Sequence, residues 1–273
     1  MVETSWLLTS LTSNIVTRVR IPPCPPVYEK KKNISVGKTL GFSFQFLITN
    51  FDKRLKDGLP AVIFITIAFN ILNYLIGKDI ATNFTIFFFF IFTMIVSSAV
   101  GICVHEEIIN KSKTAFLKEF LSPRSIKYFL NFLVLSFIAL SPLLIHFFAR
   151  KMLNVQNDYA SIVIILWVLT TILSLKLIFV LPKLTLGIDY NYNIKELNMV
   201  GSKLFLLLTI VTVIFLVPSM IYLTLQLSFM TSYKDVYQMI KPIFDIGSFY
   251  ISYLNYITIF AVISFAFKDY FSK

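Results

Sequence analysis

The residues that could do chemistry are few, and their spacing matches no catalytic or metal-binding pattern. His105, Glu106 and Glu107 stand side by side, and all three are metal-ligating types. Adjacent residues of a helix point in different directions, and the HExxH pattern of zinc enzymes is missing. We interpret this run as a charged cap where a helix reaches the membrane surface, with a ligand cluster as the alternative.

The other reactive residues are isolated. Cys24 and Cys103 are the only two cysteines and lie too far apart for a CxxC motif, and His146 is predicted on the opposite side of the membrane from His105. There is no GxSxG elbow and no phosphate-binding Gly-rich loop, for which eight glycines offer little material. We expect no catalytic residue, no cofactor and no metal, and predict that the chain is not an enzyme.

Polar residues inside the apolar segments are the remaining candidates. Asn70 and Asn73 share one helix face, Thr170 and Ser174 share another, and Lys176 lies near a helix end. They could line a polar path, but such groups more often form hydrogen bonds between helices, worth about 0.6 to 2 kcal/mol each. We prefer packing for the first four. For Lys176 we prefer a side chain that reaches the membrane surface over a substrate ligand.

The elements that must position these residues are long apolar helices. The chain has 273 residues, of which 57% are hydrophobic and 14% charged, and its mean hydropathy is +0.78. Soluble domains carry about 25% charged residues. Six continuous apolar runs are each about long enough to cross a 30 Å hydrocarbon layer, and lipid excludes open strands. We predict an all-α transmembrane bundle, with the spans at residues 59–77, 84–104, 128–148, 159–181, 204–225 and 249–267.

The distribution of basic residues predicts the orientation. The net charge is +11, and nineteen of the 25 Lys and Arg residues flank one side of the six runs, against five on the other. Cytoplasmic loops retain positive charge, so both termini are expected in the cytoplasm. The abundance of Phe, Ile, Lys and Asn suggests an AT-rich bacterial genome, and we place the chain in the bacterial inner membrane. Expected partners are the bilayer and its anionic headgroups, with no nucleic acid and an unidentified membrane protein as a further option.

The segments at the basic side differ from the spans. Residues 1–33 contain a PPCPP run and no signal-peptide pattern, so we interpret them as a disordered tail or a misannotated start, and residues 34–273 as one transmembrane domain. Leu40, Phe44 and Leu47 follow helical spacing and continue to residue 55, which predicts an amphipathic helix in the headgroup layer or, alternatively, against a partner. Residues 116–121 show a shorter copy of the pattern, and we interpret both as surface anchors.

Small residues and prolines mark features within the spans. Thr93, Ser97 and Gly101 recur every four residues, which predicts a close approach of a second helix. Pro142 and Pro218 follow two similar Lys-x-Phe-Leu starts at the same distance, and we expect each to kink its helix. The similarity predicts either a parallel repeat or chance likeness between apolar segments. A kink could shape a cavity or serve packing alone.

The order of these features resembles a bacterial family of six-span proteins. The family includes YciC-like proteins and the membrane domain attached to some glycerophosphodiester phosphodiesterases. The similar parts are the amphipathic segment at 36–56, a basic residue followed by Leu-Pro at 176–182, and a polar stretch at 193–202. The family's Ala-Trp element reads Leu197-Asn198 here. The resemblance implies a helical inner-membrane domain without assigned catalytic residues.

Two functions follow as hypotheses. The first is a noncatalytic scaffold or accessory protein that acts through lipid or protein contacts at its basic face. The second is a small-solute or lipid transporter built around Pro142 and Pro218. A carrier needs a polar cavity that reaches the middle of the membrane, so the surroundings of Asn70, Asn73, Thr170 and Lys176 should separate the two.

Overall fold

A computed structural model describes residues 34–49, 51–78, 83–153, 160–187 and 198–271. Within these residues the chain is helical and contains no strand, which confirms the predicted all-α bundle. The interpretation of residues 1–33 falls outside the described residues, as does much of the polar stretch before the fifth span. The elements are α1 (Val36–Ile48), α2 (Phe51–Gly77), α3 (Asn83–His105), a π-helical turn (Glu106–Asn110), α4 (Phe116–Glu119), α5 (Pro123–Leu153), α6 (Ala160–Leu177), α7 (Val180–Leu186), α8 (Asn198–Ser232) and α9 (Lys234–Phe271).

Six of these helices are long and apolar enough to cross a membrane, namely α2, α3, α5, α6 with α7, α8 and α9. Several extend beyond the predicted spans, and α8 and α9 have 35 and 38 residues. About 20 residues suffice for a hydrocarbon layer, so part of each of these two helices lies beyond it. Pro142 lies inside α5 and Pro218 inside α8. The kinks remain predictions.

The helices α3 and α9 form the centre of the bundle. In each of these two helices, 44% of the most apolar 18-residue stretch is buried, against 11% of the corresponding stretch in α5. Their contacts show that they run in the same direction. Ser97 of α3 interacts with Tyr256 of α9, and further along both helices His105 interacts with Ser264. Between these contacts, a Cβ placed on Gly101 would lie 3.1 Å from the Phe260 ring and 2.7 Å from the Tyr128 hydroxyl. The predicted close approach along the small-residue stripe is therefore confirmed at Gly101.

The segment before the first span is divided into two helices. The chain leaves the helical conformation at Thr49, and α2 begins at Phe51, so the prediction of one amphipathic helix through residue 55 is wrong. Helix α1 lies against α9, with Phe42 and Phe46 close to the Phe265 ring. Its most buried positions include Thr39 and Ser43. The Ser43 hydroxyl donates to the Thr39 carbonyl, which satisfies it inside the protein.

The short helix α4 packs its phenylalanines inward, and its interpretation as a surface anchor stays a prediction for its exposed side. Phe120 stacks on Phe64 of α2 with ring centroids 5.2 Å apart and meets Phe92 of α3 edge-on. Phe116 is 8% exposed, while Leu117 on the other side of the turn is exposed. Helices α2 and α3 thus cover the two phenylalanines of the apolar pattern, whereas Leu117 and Leu121 are exposed.

We expect Gly101→Ala to lower the thermal unfolding midpoint of the purified protein by several degrees. The added methyl group must displace the Tyr128 hydroxyl, and overpacking of this kind costs about 1 to 3 kcal/mol. Gly41→Ala is the matched control, since a Cβ there meets no atom within 4 Å. Equal stability of the two variants would contradict the close contact between α3 and its neighbours.

Candidate functional site

Buried polar groups collect at the end of the bundle where α2 begins and α3 ends, which we call the basic end. The run His105, Glu106 and Glu107 lies there, at the junction of α3 and the π-helical turn. The three side chains reach three different sets of partners, as expected for adjacent helical residues. We call these residues and their partners the polar layer.

His105 is fully buried and bonded on both sides. Its Nδ1 lies 2.6 Å from Ser264 Oγ, and its Nε2 lies 2.8 Å from the Tyr128 hydroxyl. Ser264 gives its single proton to the carbonyl of Phe260, at 2.8 Å. This assigns Nδ1 of His105 as the donor to Ser264 and Nε2 as the acceptor from Tyr128. A neutral imidazole therefore satisfies every partner and joins α3, α5 and α9.

Glu106 connects the π-helical turn to α5 and α4. Arg124 donates to Glu106 Oε1 at 2.7 Å and to Glu119 Oε1 at 3.2 Å. The second oxygen of Glu106 accepts hydrogen bonds from Asn110 and Ser112, at 2.8 and 2.7 Å. Both carboxylates are 6% exposed. A buried carboxylate without a cation is strongly destabilising, so Arg124 holds this corner together.

Glu107 points in a third direction, towards α2. Arg54 donates to both of its carboxylate oxygens, the second at 3.0 Å, in a bidentate pair. The Arg54 guanidinium also lies 3.9 Å from the centre of the Phe46 ring of α1. Arg54 is 7% exposed, so this cation is buried with its partner. This pair fixes α1, α2 and the π-helical turn to one another.

Beside the Arg54–Glu107 pair lies a cavity of about 450 Å³, which we call the basic cavity. Its charged lining carries four cations and two anions, namely Lys53, Arg54, Lys56, Lys113, Asp57 and Glu107. Its floor is largely apolar, with Val100, Val104 and Ile257. Its charged residues lie at the basic end.

A second cavity of about 160 Å³ lies between α2, α3 and α9, and we call it the inner crevice. The two share Val100 and Tyr253 in their linings. The hydroxyls of Thr93 and Ser97 line the crevice but donate to carbonyls of their own helix, at 2.9 Å each. The crevice thus offers a mainly apolar wall beside the middle of α3.

The polar residues singled out from the sequence lie elsewhere. Asn70 on α2 donates to the Thr66 carbonyl one turn earlier, at 2.9 Å, and Asn73 is half-buried on the same helix. On α6, Thr170 donates to the Ala139 carbonyl at 3.0 Å and Ser174 to the Leu135 carbonyl at 2.8 Å. These two side chains therefore bond across to α5. The α2 pair and the α6 pair line neither the basic cavity nor the inner crevice.

Lys176 lies against α8. A Cβ placed on Gly201 would lie 2.8 Å from Cγ of Lys176 and 2.5 Å from the Ile172 carbonyl, so α6 and α8 approach closely here. Lys176 is half-buried and is not among the residues that line the basic cavity. Its interpretation as a side chain that reaches the membrane surface stays a prediction.

The sequence analysis missed Arg54, Arg124, Tyr128 and Ser264 as members of the site. One signal pointed to the first two. Around the basic end of the described chain, the basic residues other than Arg54 and Arg124 are lysines. The planar guanidinium suits buried bidentate pairs with carboxylates, whereas the ammonium of lysine prefers water. Nothing in the spacing marks Tyr128 or Ser264.

Across the described residues, no three His, Cys, Asp or Glu side chains come together as metal ligands would. Compared with known proteins, the chain matches no family model, no curated protein and no solved structure. The resemblance to YciC-like proteins therefore stays a prediction. The six long apolar helices define the chain as a multi-pass integral membrane protein.

We expect Tyr128→Phe to destabilise the protein, because it leaves Nε2 of His105 buried without a donor. The cost of such an unsatisfied group is about 1 to 3 kcal/mol, which a thermal unfolding assay in detergent detects. Tyr74→Phe on α2 is the control, since Tyr74 is 64% exposed. If the two variants unfold at the same temperature, the hydrogen-bond assignment for His105 is wrong.

Proposed function

We propose that this chain is a noncatalytic scaffold or accessory protein of the bacterial inner membrane, acting through lipid and protein contacts at its basic end. In this proposal the basic end and both termini face the cytoplasm. The observation that carries it is the basic cavity, whose cations line an open space at the end of an otherwise apolar bundle. Anionic headgroups are the ligands that such an end meets in a membrane.

The orientation is supported by the distribution of charge around the six helices. Nineteen Lys and Arg residues flank the side of the basic end and five flank the other side. Positive loops are retained in the cytoplasm during insertion. At the other end, Lys241 forms an i,i+4 pair with Asp245 at 2.9 Å, which neutralises one of those five.

The noncatalytic part of the proposal is supported by the closure of the polar layer. His105, Tyr128 and Ser264 resemble a catalytic constellation in residue type, but all three are fully buried. Their hydrogen-bonding groups are used by one another and by the Phe260 carbonyl. A general base needs a substrate proton within reach, and this imidazole is enclosed. The three residues support a structural role.

A second candidate function is lipid transport, and the inner crevice favours it. The crevice reaches Phe89 and Thr93 near the middle of α3, so a hydrophobic chain could enter between α2, α3 and α9. Transport would require this crevice to connect to the far end of the bundle. In a scaffold it should remain closed to water.

Cysteine labelling of the cysteine-free protein in bacterial spheroplasts tests the proposal. Met239 on α9 is 84% exposed at the end opposite the basic end, and Lys118 on α4 is exposed at the basic end. We expect an impermeant maleimide to label Met239→Cys directly, and Lys118→Cys only after the membrane is permeabilised. Direct labelling of Lys118→Cys would reverse the orientation.

The same assay separates the two candidates. Thr93→Cys lies in the inner crevice, and the scaffold proposal expects it to stay unlabelled on both sides. Labelling of Thr93→Cys by the impermeant reagent would reveal a water-filled path and favour transport. Phe88→Cys, on the exposed side of α3, is the control for reagent that partitions into the bilayer.

A further inference from the structure

We infer that the basic cavity and the inner crevice form one binding site for an anionic phospholipid, with its phosphate in the cavity and an acyl chain in the crevice. This inference rests on the proposed function and deepens it, because it replaces general attraction to the membrane surface with a defined site. The two spaces adjoin each other, since Val100 and Tyr253 line both.

The cations of the cavity are not balanced by its own anions. Glu107 is engaged by both nitrogens of the Arg54 fork, which leaves Asp57 to face Lys53, Lys56 and Lys113. The side chains of Lys53 and Lys113 approach each other, like charge against like charge. An anion between them removes this repulsion. A phosphate carries the charge and enough acceptor oxygens for both amines.

Arg54 lines the basic cavity beside these lysines. Its Nε is buried and has no hydrogen-bond partner in the protein, although its two terminal nitrogens bind Glu107. A buried N–H without an acceptor is destabilising, and most such groups in folded proteins are satisfied. The Nε atom is closed to water, so the anion meets the lysines of the basic cavity and not this atom. The role of Arg54 is to hold Glu107, which leaves the lysines of the cavity short of anions.

The shape of the site favours an amphiphile over a soluble anion. The basic cavity, at about 450 Å³, has the size of a small-molecule pocket. Its apolar floor adjoins the inner crevice, whose walls include Ala61, Ile65 and Phe249. A soluble anion uses only the charged mouth and leaves the crevice empty. A phospholipid covers both surfaces, with its acyl chain on the part that lies within the membrane.

The experiment measures lipid binding to the purified full chain in a neutral detergent, by native mass spectrometry. The probes are phosphatidylglycerol, phosphatidylethanolamine and glycerol phosphate, which separate an anionic lipid, a zwitterionic lipid and a headgroup without chains. We expect phosphatidylglycerol to bind about tenfold more tightly than phosphatidylethanolamine, and glycerol phosphate to bind more weakly than either.

Matched variants locate the binding. Lys53→Gln/Lys113→Gln removes two cations from the cavity, and Lys118→Gln/Lys127→Gln removes two exposed cations from the same end of the bundle but outside its lining. We expect the first pair to weaken phosphatidylglycerol binding about tenfold and the second pair to change it by less than about twofold. Equal losses in the two pairs would mean general headgroup attraction and overturn the site.

A third variant tests the acyl chain. Ser252→Leu adds bulk to the wall of the inner crevice at an exposed position of α9, where the fold tolerates it. We expect it to weaken phosphatidylglycerol binding about fivefold. Glycerol phosphate binding as tight as phosphatidylglycerol, with no effect of Ser252→Leu, would identify a soluble-anion site and overturn the lipid assignment.

Failure of this inference is distinguishable from failure of the proposed function. The maleimide labelling of Met239→Cys, Lys118→Cys and Thr93→Cys reports orientation and water access without any lipid-binding step. If the orientation is as proposed but both double lysine variants lose phosphatidylglycerol binding equally, only the defined lipid site is refuted. A reversed orientation removes the cytoplasmic assignment, whatever the lipid measurements give.

Discussion

Buried charges must be paired where the polar layer borders the apolar bundle. The Arg54–Glu107 pair satisfies this requirement and connects three elements at once. Arg54 belongs to α2, Glu107 to the π-helical turn, and the Phe46 ring that covers the guanidinium to α1. Taking an ion out of water is costly unless geometry and hydrogen bonds compensate. A bidentate contact under an aromatic ring provides both. The position of α1, the wall of the basic cavity and the turn after α3 all depend on it.

The rest of the polar layer follows the same rule with different partners. Glu106 and Glu119 share Arg124, which anchors the start of α5. His105 has no charged partner there. Its neutral imidazole accepts a hydrogen bond from Tyr128 and donates one to Ser264. Below this layer, the contact of α3 with α5 and α9 relies on Gly101, since a side chain there would collide with Tyr128 of α5 and crowd Phe260 of α9. Packing and hydrogen bonding are thus coupled through one tyrosine.

Much of the architecture could be predicted because lipid imposes strong constraints on sequence. Six continuous apolar runs require six helices, and the stripe ending at Gly101 indicated a close helix contact. The pairing of Arg54 with Glu107 could not be predicted, because the residues are 53 positions apart and charge alone does not name a partner. The contacts of α1 with α9 and of α4 with α2 could not be predicted either. Apolar spacing predicts a covered face, but it does not distinguish cover by lipid from cover by Phe64 or Phe265.

Exchange of the two charges tests the central claim most directly. We expect Arg54→Glu and Glu107→Arg each to lower the thermal unfolding midpoint, because each buries two like charges, and the double exchange to recover most of the loss. Lys118→Glu serves as a surface control for charge reversal at the same end. Recovery in the double variant is the predicted result. A double variant no more stable than the single ones would contradict the claim that this pair organises the basic end.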